Sequence, residues 1–476
     1  MATLGSAFNI AAGALDADQA ALNVLANNTA NVNTPGYTLE APVWSEADTV
    51  SLNGASYGMG VQMSGPRSQR SLVLEKAVQQ QTQETGASGA RFSALQQIQA
   101  LFSGATSAGT DASQSSGIGS DLSGLFNALS SMEANPADVS LRQQVLSAAG
   151  ALASDFNGAA AQLQSQAQSL DQQAGSVMGQ ANSLLTDIAH LNLEIETTSP
   201  KGDAGVLEDQ RQQDLTNLSQ LVGIRTIPTE SNGLTVTTTG GALLVAEGQA
   251  FPMSGAPSGG TTAFYDAQGN DITAQLAAGG GQLGGILTAR DQDIPQVLSS
   301  LDTLAYTVAS ELNTQNEAGV DVNGNPGTAI FSLPSTVTST NTTGAAAGIA
   351  VAMTDPSQIA AAAAGKGSSD SANVTAMANL ANQASVDGST PTAYFSDFVT
   401  TLGSMVSEVT TENTAQQAAL SQLQGQVGSL SGVNLNDEAA QLETLEQSYQ
   451  AASKLFTILD QAMTAALNLG VQTTYS

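Results

Sequence analysis

Residues 4–32, LGSAFNIAAGALDADQAALNVLANNTANV, decide the fold, because their apolar side chains recur at steps of four and three residues. Such steps form a coiled-coil stripe, which is stable only against a partner helix. Residues 442–466 repeat the pattern near the other end of the chain. The two stripes predict an assembly seam whose large members are Leu4, Phe8, Leu15, Leu22, Leu25, Val32, Leu442, Leu445, Tyr449, Phe456, Leu459 and Met463.

Composition favours a folded, multi-domain, helical protein. The chain has 476 residues, of which 41% are hydrophobic and only 4% aromatic, and this composition suits long thin helices packed through small side chains. Its formal net charge is −30, with 11 basic residues against 41 acidic ones. Binding to nucleic acid requires clustered Lys and Arg, whereas the basic residues here are scattered singly, so we expect no nucleic-acid partners. No stretch approaches the ~18 apolar residues of a membrane span, so we expect no membrane insertion.

Several chemistries are excluded by residue content. The chain has no cysteine, which rules out disulfides and thiolate chemistry, and His190 is its only histidine. Residues 54–58, GASYG, match Gly-x-Ser-x-Gly but lie in a segment expected to be extended, without the helix that a nucleophile elbow requires. We therefore predict no catalytic, metal or cofactor site and no enzyme activity. Asp16 and Asp18 interrupt the apolar residues at the N-terminus, which also lacks a basic region. We therefore expect no cleaved signal peptide.

The middle of the chain changes from helical to strand-like periodicity and back. Pro35-Gly36 predicts a type II turn after the first helix, and short strands are expected around Trp44, which we interpret as a packing anchor. A loop is expected up to about residue 120, followed by an unbroken helical stripe over 156–195. Hairpin signals begin after residue 223, while 318–395 is rich in loops.

These patterns give one fold prediction. The fold is mainly α with a smaller β part: terminal coiled-coil helices pair, a long helical bundle forms a stalk, and a β-rich tip domain is inserted in the middle. The predicted domains are a terminal assembly domain (1–66 and 431–476), a helical stalk (67–222, 284–317 and 396–430) and a β-rich, irregular outer domain (223–283 and 318–395).

Four polar or glycine-rich features allow more than one interpretation. Asp18 and Glu438 interrupt the seam, and they either face solvent or penalise wrong alignments of the helices. Residues 321–325, DVNGN, resemble part of a calcium loop, but Pro326 stands where glycine is required, so a plain turn is favoured. The glycines of 279–285 have no phosphate-binding context and predict a hinge.

Three short stretches and the long helical stalk resemble one protein family. Residues 26–38, ANNTANVNTPGYT, contain a signature turn of Asn33, Thr34, Pro35, Gly36 and Tyr37, and they resemble the N-terminal signature of flagellar axial proteins. Residues 432–438, GVNLNDE, resemble the C-terminal signature, with Asn434 placed as a helix N-cap. Residues 280–291, GGQLGGILTARD, are similar to the hook-associated protein 1 branch. Departures from the family pattern occur at Leu39, Asn316 and Asn436.

The resemblance implies a structural subunit of the junction between flagellar hook and filament, needed for filament assembly. It implies an extracellular position at that junction and export by the flagellar type III apparatus. The implied partners are further copies in a junction ring, the hook protein, the next hook-associated junction protein, and a cytosolic export chaperone on the C-terminal helix. The alternatives are a hook or distal rod protein and, in a different class, a secreted adhesin.

Overall fold

A computed structural model describes residues 2–52, 55–103, 117–200 and 202–472. Most of the loop predicted before residue 120 lies outside these ranges. The helices are α1 Ala2–Ala30, α2 Leu72–Ser103, α3 Ile118–Glu133, α4 Val139–Thr198, α5 Val206–Leu221, α6 Thr273–Gly279, α7 Gly281–Thr288, α8 Ile294–Glu317, α9 Ala345–Gly348, α10 Ala372–Asn379, α11 Pro391–Ser431 and α12 Leu435–Gln472.

The strands are short and pair only as antiparallel neighbours. They are β1 Glu40–Glu46, β2 Val50–Leu52, β3 Ala55–Tyr57, β4 Val61–Ser68, β5 Ile224–Pro228, β6 Leu234–Thr238, β7 Leu243–Ala246, β8 Gln249–Ala250, β9 Ser254–Ser258, β10 Thr261–Tyr265, β11 Gly319–Val320, β12 Phe331–Ser332, β13 Ala350–Val351 and β14 Ala362–Ala363. The predicted fold, mainly α with a smaller β part, is confirmed.

The chain divides into two compact units. The first contains Met1–Gln83, Gln180–Met253 and Gln417–Ser476, and the second contains Glu84–Gly179 and Ser254–Gln416. The four-stranded sheet β5–β8 belongs to the first unit, whereas the β9–β10 hairpin belongs to the second. These boundaries differ from the three predicted domains, whose division remains a proposal.

In the first unit the two terminal helices pack against each other, as their matching stripes predict. The rings of Phe8 and Phe456 lie with their centroids 4.4 Å apart. On α1 the buried side chains include Ala21 and Leu25, and the same helix also packs on β1 and β4. Burial of this stripe is the driving force that an isolated helix lacks, since short helices are marginal in water.

The β1–β4 ribbon carries the only tryptophan of the chain. Its register shifts between Val43 and Trp44, and Trp44 remains 41% exposed. The interpretation of Trp44 as a packing anchor is therefore wrong. A bulge turns the following side chains away from the regular alternation of a ribbon, and the sequence carries no signal for it.

The second unit is built around α3, the first part of α4, and α8, which bury Leu, Ile, Val and Phe side chains. Arg142 of α4 is 1% exposed and has no carboxylate partner among the described residues. Instead its guanidinium donates to the carbonyls of Pro136, Ser357 and Ile359, at 2.6, 3.3 and 2.5 Å. Burial lowers the pKa of Arg142. This side chain fixes the segment before β14 to the start of α4.

The glycines of the 280–291 stretch have two different roles. Gly280 and Gly281 have φ angles of 91° and 72°, so they form the break between α6 and α7. Gly285 lies inside α7, and a Cβ there would meet the carbonyl oxygen of Ala87 at 2.1 Å. The hinge stays a prediction for the first pair, whereas Gly285 allows α7 to approach α2.

The 321–325 segment forms a tight turn. The Asp321 carboxylate accepts the backbone N–H groups of Asn323 and Asn325, both at 2.8 Å. The Asp266 carboxylate accepts the N–H groups of Gln268 and Asn270 in the same way in residues 266–270, DAQGN. In both turns the aspartate carboxylate accepts hydrogen bonds from backbone amides, as in Asx turns. Within the described ranges, no group of three or more His, Cys, Asp or Glu side chains could hold a metal ion.

Candidate functional site: the signature junction

The signature turn has the geometry that Pro35-Gly36 predicts. The Tyr37 N–H donates to the Thr34 carbonyl at 3.2 Å, and Gly36 has a φ of 80°, as position three of a type II turn requires. A Cβ at Gly36 would lie 2.9 Å from Oε1 of Gln213 on α5. Glycine is therefore needed for the backbone conformation, whereas a Cβ here would displace only the flexible end of the Gln213 side chain.

Asn28 is the centre of the site, and its side chain is completely buried. Its Nδ2 donates to the Glu40 carbonyl at 2.8 Å and to Oε2 of Glu438 at 3.2 Å. Its Oδ1 accepts the Tyr37 hydroxyl at 2.8 Å and the Glu40 N–H at 3.1 Å. All four hydrogen-bonding positions of the amide are therefore used. We call Asn28, Tyr37, Glu40 and Glu438 the signature junction.

The C-terminal signature completes the junction from α12. The Asn434 side chain accepts the Asn436 N–H at 3.0 Å, which is the predicted N-cap. The Leu39 N–H donates to the Ser431 carbonyl at 2.8 Å, next to the break between α11 and α12. Glu438, 4% exposed, then reaches Asn28. The two signature stretches of the sequence meet through these contacts.

Asp209 of α5 holds the next part of the chain. Its carboxylate accepts the Thr38 N–H at 3.0 Å and the Thr38 hydroxyl at 2.6 Å. Nη2 of Arg70, just before α2, donates to the same carboxylate at 2.7 Å. The Asp203 carboxylate likewise accepts the Ser68 hydroxyl at 2.9 Å. Charge-assisted bonds of this kind are the stronger class of hydrogen bond, so β1 and α2 are both fixed to α5.

The signature junction is shielded from solvent and brings several acidic groups close together. Burial, followed by the charges of Glu40, Asp209 and Glu438, raises the pKa of Tyr37 to about 12. Burial and the charges of Asp203 and Asp209 raise the pKa of Glu40, and burial raises that of Glu438. The side chains of Tyr37 and Glu438 are both hydrogen-bonded to that of Asn28, and Glu40 joins them through its backbone N–H and carbonyl. This arrangement suits a structural tie between chain segments.

The predicted seam residues are only partly buried in the single chain. Leu25 is buried, Phe8 and Phe456 touch, and Leu442 and Tyr449 remain 45% and 39% exposed. The other large members are half-buried: Leu4, Leu15, Leu22, Val32, Leu445, Leu459 and Met463. Of the signature turn, Asn33, Thr34, Pro35 and Gly36 are exposed, and Tyr37 is half-buried. The role of the seam in assembly stays a prediction.

Asp18 and Glu438 both lie inside the protein, so the solvent-facing interpretation is wrong. Asp18 is 6% exposed, and its Oδ2 has no hydrogen-bond partner among the residues that the structure describes. Asn28, the partner of Glu438, belongs to the N-terminal signature, but this pairing was not predicted from the sequence. An asparagine in a helix is usually a surface residue, and only the position of α12 reveals the pairing.

Comparison with known proteins places these observations in a family. The model of the flagellar hook-associated protein FlgK helical domain matches residues 109–331, and the flagella basal body rod protein model matches residues 8–38. Flagellar hook-associated protein 1 of Escherichia coli is 29% identical over 371 residues, a match that covers 75% of this chain and 66% of the relative. The Salmonella typhimurium protein of the same name is 26% identical, with 98% of this chain and 100% of the relative covered.

The chain belongs to the flagellar hook-associated protein 1 family. Proteins of this family are structural proteins of the flagellum, and the location of this member is accordingly the flagellum. A solved structure of the flagellar hook junction protein FlgK from Burkholderia pseudomallei has the same fold, with a TM-score of 0.66 and 18% identity, covering 73% of this chain and 98% of that one. None of the helices among the described residues is long and apolar enough to cross a membrane.

Proposed function

We propose that this member of the hook-associated protein 1 family is a structural subunit of the junction between flagellar hook and filament, and that filament assembly needs it. The observation that carries the proposal is the signature junction, where the rod-type N-terminal signature meets the C-terminal one through Asn28 and Glu438. The names of the relatives support the same assignment.

The partners follow from the proposed position. We propose that copies of the chain associate into a junction ring that contacts the hook protein on one side and the next hook-associated junction protein on the other. The partly exposed seam side chains, with Leu442 and Tyr449 among them, support this proposal because an apolar stripe at a helix surface needs cover. The three-domain division of assembly part, stalk and outer domain belongs to the same proposal.

The route to this position is also proposed. We propose export through the flagellar type III apparatus without a cleaved signal peptide, with a cytosolic chaperone covering α12 beforehand. The exposed side chains of Leu455 and Ile458 on α12, at 47% and 62%, support a covering partner before assembly. Pulse-labelling of the secreted chain, with N-terminal sequencing, would test whether residue 1 or 2 is retained.

A deletion experiment tests the proposed function. Cells lacking the gene should build intact hooks, carry no filaments and release flagellin into the medium. Complementation with the wild-type gene should restore filaments. Cells without hooks would instead favour the hook or distal rod alternative, and normal filaments with loss of surface attachment would favour the adhesin alternative.

A further inference from the structure

The start of α2 presents an exposed apolar patch with a cation. Leu72 and Val73 are 63% and 79% exposed, and Val73 is the most exposed large hydrophobic side chain in the described part of the chain. Lys76 follows one turn later on the same face and is also exposed. It forms no ion pair with any described residue. We call Leu72, Val73 and Lys76 the α2 patch.

A groove beside the signature turn has the opposite character. Its volume is about 480 Å³, and its walls come from the turn, the end of α4 and one face of α5. Pro35, Leu191 and Val206 supply apolar surface, and Asp187 and Asp214 supply carboxylates. Burial and the neighbouring Asp187 charge raise the pKa of Asp214, so the two carboxylates face the same space. We call this the turn groove.

The patch and the groove flank the same helix. Gln212 of α5 faces α2, because Nε2 of Gln79 donates to its Oε1 at 3.3 Å. The next two residues of α5, Gln213 and Asp214, line the groove. Asp209 of α5 binds both Thr38, just after the signature turn, and Arg70, just before α2. These contacts hold the signature turn and the start of α2 at the same height along α5. The α2 patch and the turn groove therefore lie at a similar height along α5, on different sides of that helix.

Two different surfaces of one chain can join copies head to tail. A contact of this kind forms rings or helical arrays, because every copy keeps one free surface of each kind. Copies with a net charge of −30 repel each other, so lateral contact requires local pairing of unlike charges. The apolar side chains and Lys76 of the patch complement the apolar walls and the carboxylates of the groove.

We propose that the turn groove of one copy receives the α2 patch of the next copy, with Lys76 between the carboxylates of Asp187 and Asp214. The proposal rests on the proposed self-association at the hook–filament junction and names the surfaces that would perform it. Leu72 and Val73 would cover Leu191 and Val206, which otherwise face solvent.

Cross-linking tests the contact directly, because the natural chain has no cysteine. Flagella are isolated from cells whose only copy of the gene carries both Lys76→Cys and Asp214→Cys, and they are treated with a short bismaleimide. We expect a ladder of covalent multimers of this chain. The pair Lys366→Cys and Asp214→Cys is the matched control, since Lys366 is an exposed lysine of the second unit, and it should stay monomeric.

Charge exchange gives a second readout. Lys76→Asp and Asp214→Lys alone should each reduce the number of filaments per cell severalfold, and the double variant should restore most of them. Lys366→Asp should leave the number unchanged. Absence of multimers in a cross-linked, filament-bearing strain, or cross-links to another protein only, would overturn the contact while leaving the proposed function intact. Normal filaments in the deletion strain would instead reject the proposed function itself.

Discussion

Asn28 and Glu438 are 410 positions apart in the chain and share a hydrogen bond of 3.2 Å inside the first unit. The amide also binds Tyr37 and both backbone groups of Glu40, so one side chain connects the end of α1, the strand after it and the start of α12. A fully satisfied buried amide favours one arrangement over all others, because any displacement leaves polar groups unpaired.

Replacement of Asn28 should therefore loosen both terminal helices. In Asn28→Ala the Tyr37 hydroxyl and the Glu40 N–H lose their partner, and we expect a loss of about 2–3 kcal/mol in the free energy of unfolding of the first unit. Amide hydrogen exchange measured by mass spectrometry would show faster exchange in α1 and α12. Asn23→Ala, at an exposed position of the same helix, is the control, and equal exchange in the two variants would contradict the assigned role.

The close approach of α7 to α2 predicts opposite effects of one substitution at two glycines. In Gly285→Ala the new Cβ meets the Ala87 carbonyl, and we expect a destabilisation of about 1–3 kcal/mol, typical of overpacking. In Gly124→Ala on α3 no described atom lies within 4 Å of the new Cβ. The higher helix propensity of alanine should therefore raise the free energy of unfolding by up to about 1 kcal/mol. Calorimetry of both variants measures the two shifts in melting temperature. A stabilised Gly285→Ala protein would show that the helices can separate freely.

The pair of Asp121 on α3 and Asp155 on α4 predicts a pH dependence of the second unit. Burial, the charge of Asp155 and a hydrogen bond to it raise the pKa of Asp121 to about 6 in the folded protein, above its ordinary 3.8. Because the folded state binds this proton more tightly, the stabilisation is complete below about pH 3.8 and is lost as the pH rises through about 6.

Asp121→Asn isolates this effect, since asparagine keeps the hydrogen bond and removes the titration. Between pH 5 and pH 7 the melting temperature of the wild type should fall relative to that of the variant. Asp370→Asn, at an aspartate of the second unit outside the pair, corrects for general charge effects. Parallel pH profiles of the wild type and Asp121→Asn would rule out a shared proton.

Asp18 offers a test of alignment control in the seam. Its buried Oδ2 has no partner, so Asp18→Leu should stabilise the isolated chain by about 1 kcal/mol. If the carboxylate penalises wrong alignments, the same variant should assemble less accurately and give fewer filaments on otherwise normal hooks. Asp16→Leu, at an exposed position of α1, is the control. Unchanged filament numbers in Asp18→Leu would reject alignment control.

Periodicity predicted the helices and the pairing of the two terminal helices. Apolar residues at steps of four and three form one apolar helix face, and such a face must pack against a partner. Turn chemistry likewise predicted Gly36, whose φ only glycine adopts easily. The burial of Asp18 and Glu438 could not be predicted, since both depend on where α12 lies. The role of Gly285 was equally hidden, because it arises from the approach of a second helix.

One departure from the family pattern gains an explanation from the fold. Asn316 is fully buried, donates from Nδ2 to the Thr328 carbonyl at 2.7 Å and accepts the Ala360 N–H at 2.8 Å. Its identity therefore matters for joining α8 to two later segments. No local sequence pattern indicates this role, because these partners lie 12 and 44 residues further along the chain.

The hydrogen bond between Asn28 and Glu438 also limits when the first unit can complete its folding. Glu438 is synthesised 410 residues after Asn28, so the Asn28 amide lacks its last acceptor while the whole intervening segment is made. The entropic penalty for closing so long a loop grows only slowly with length, but the closure cannot start before α12 exists. The first unit of the nascent chain therefore stays open until α12 has been made, which leaves a period in which another molecule can hold it unfolded.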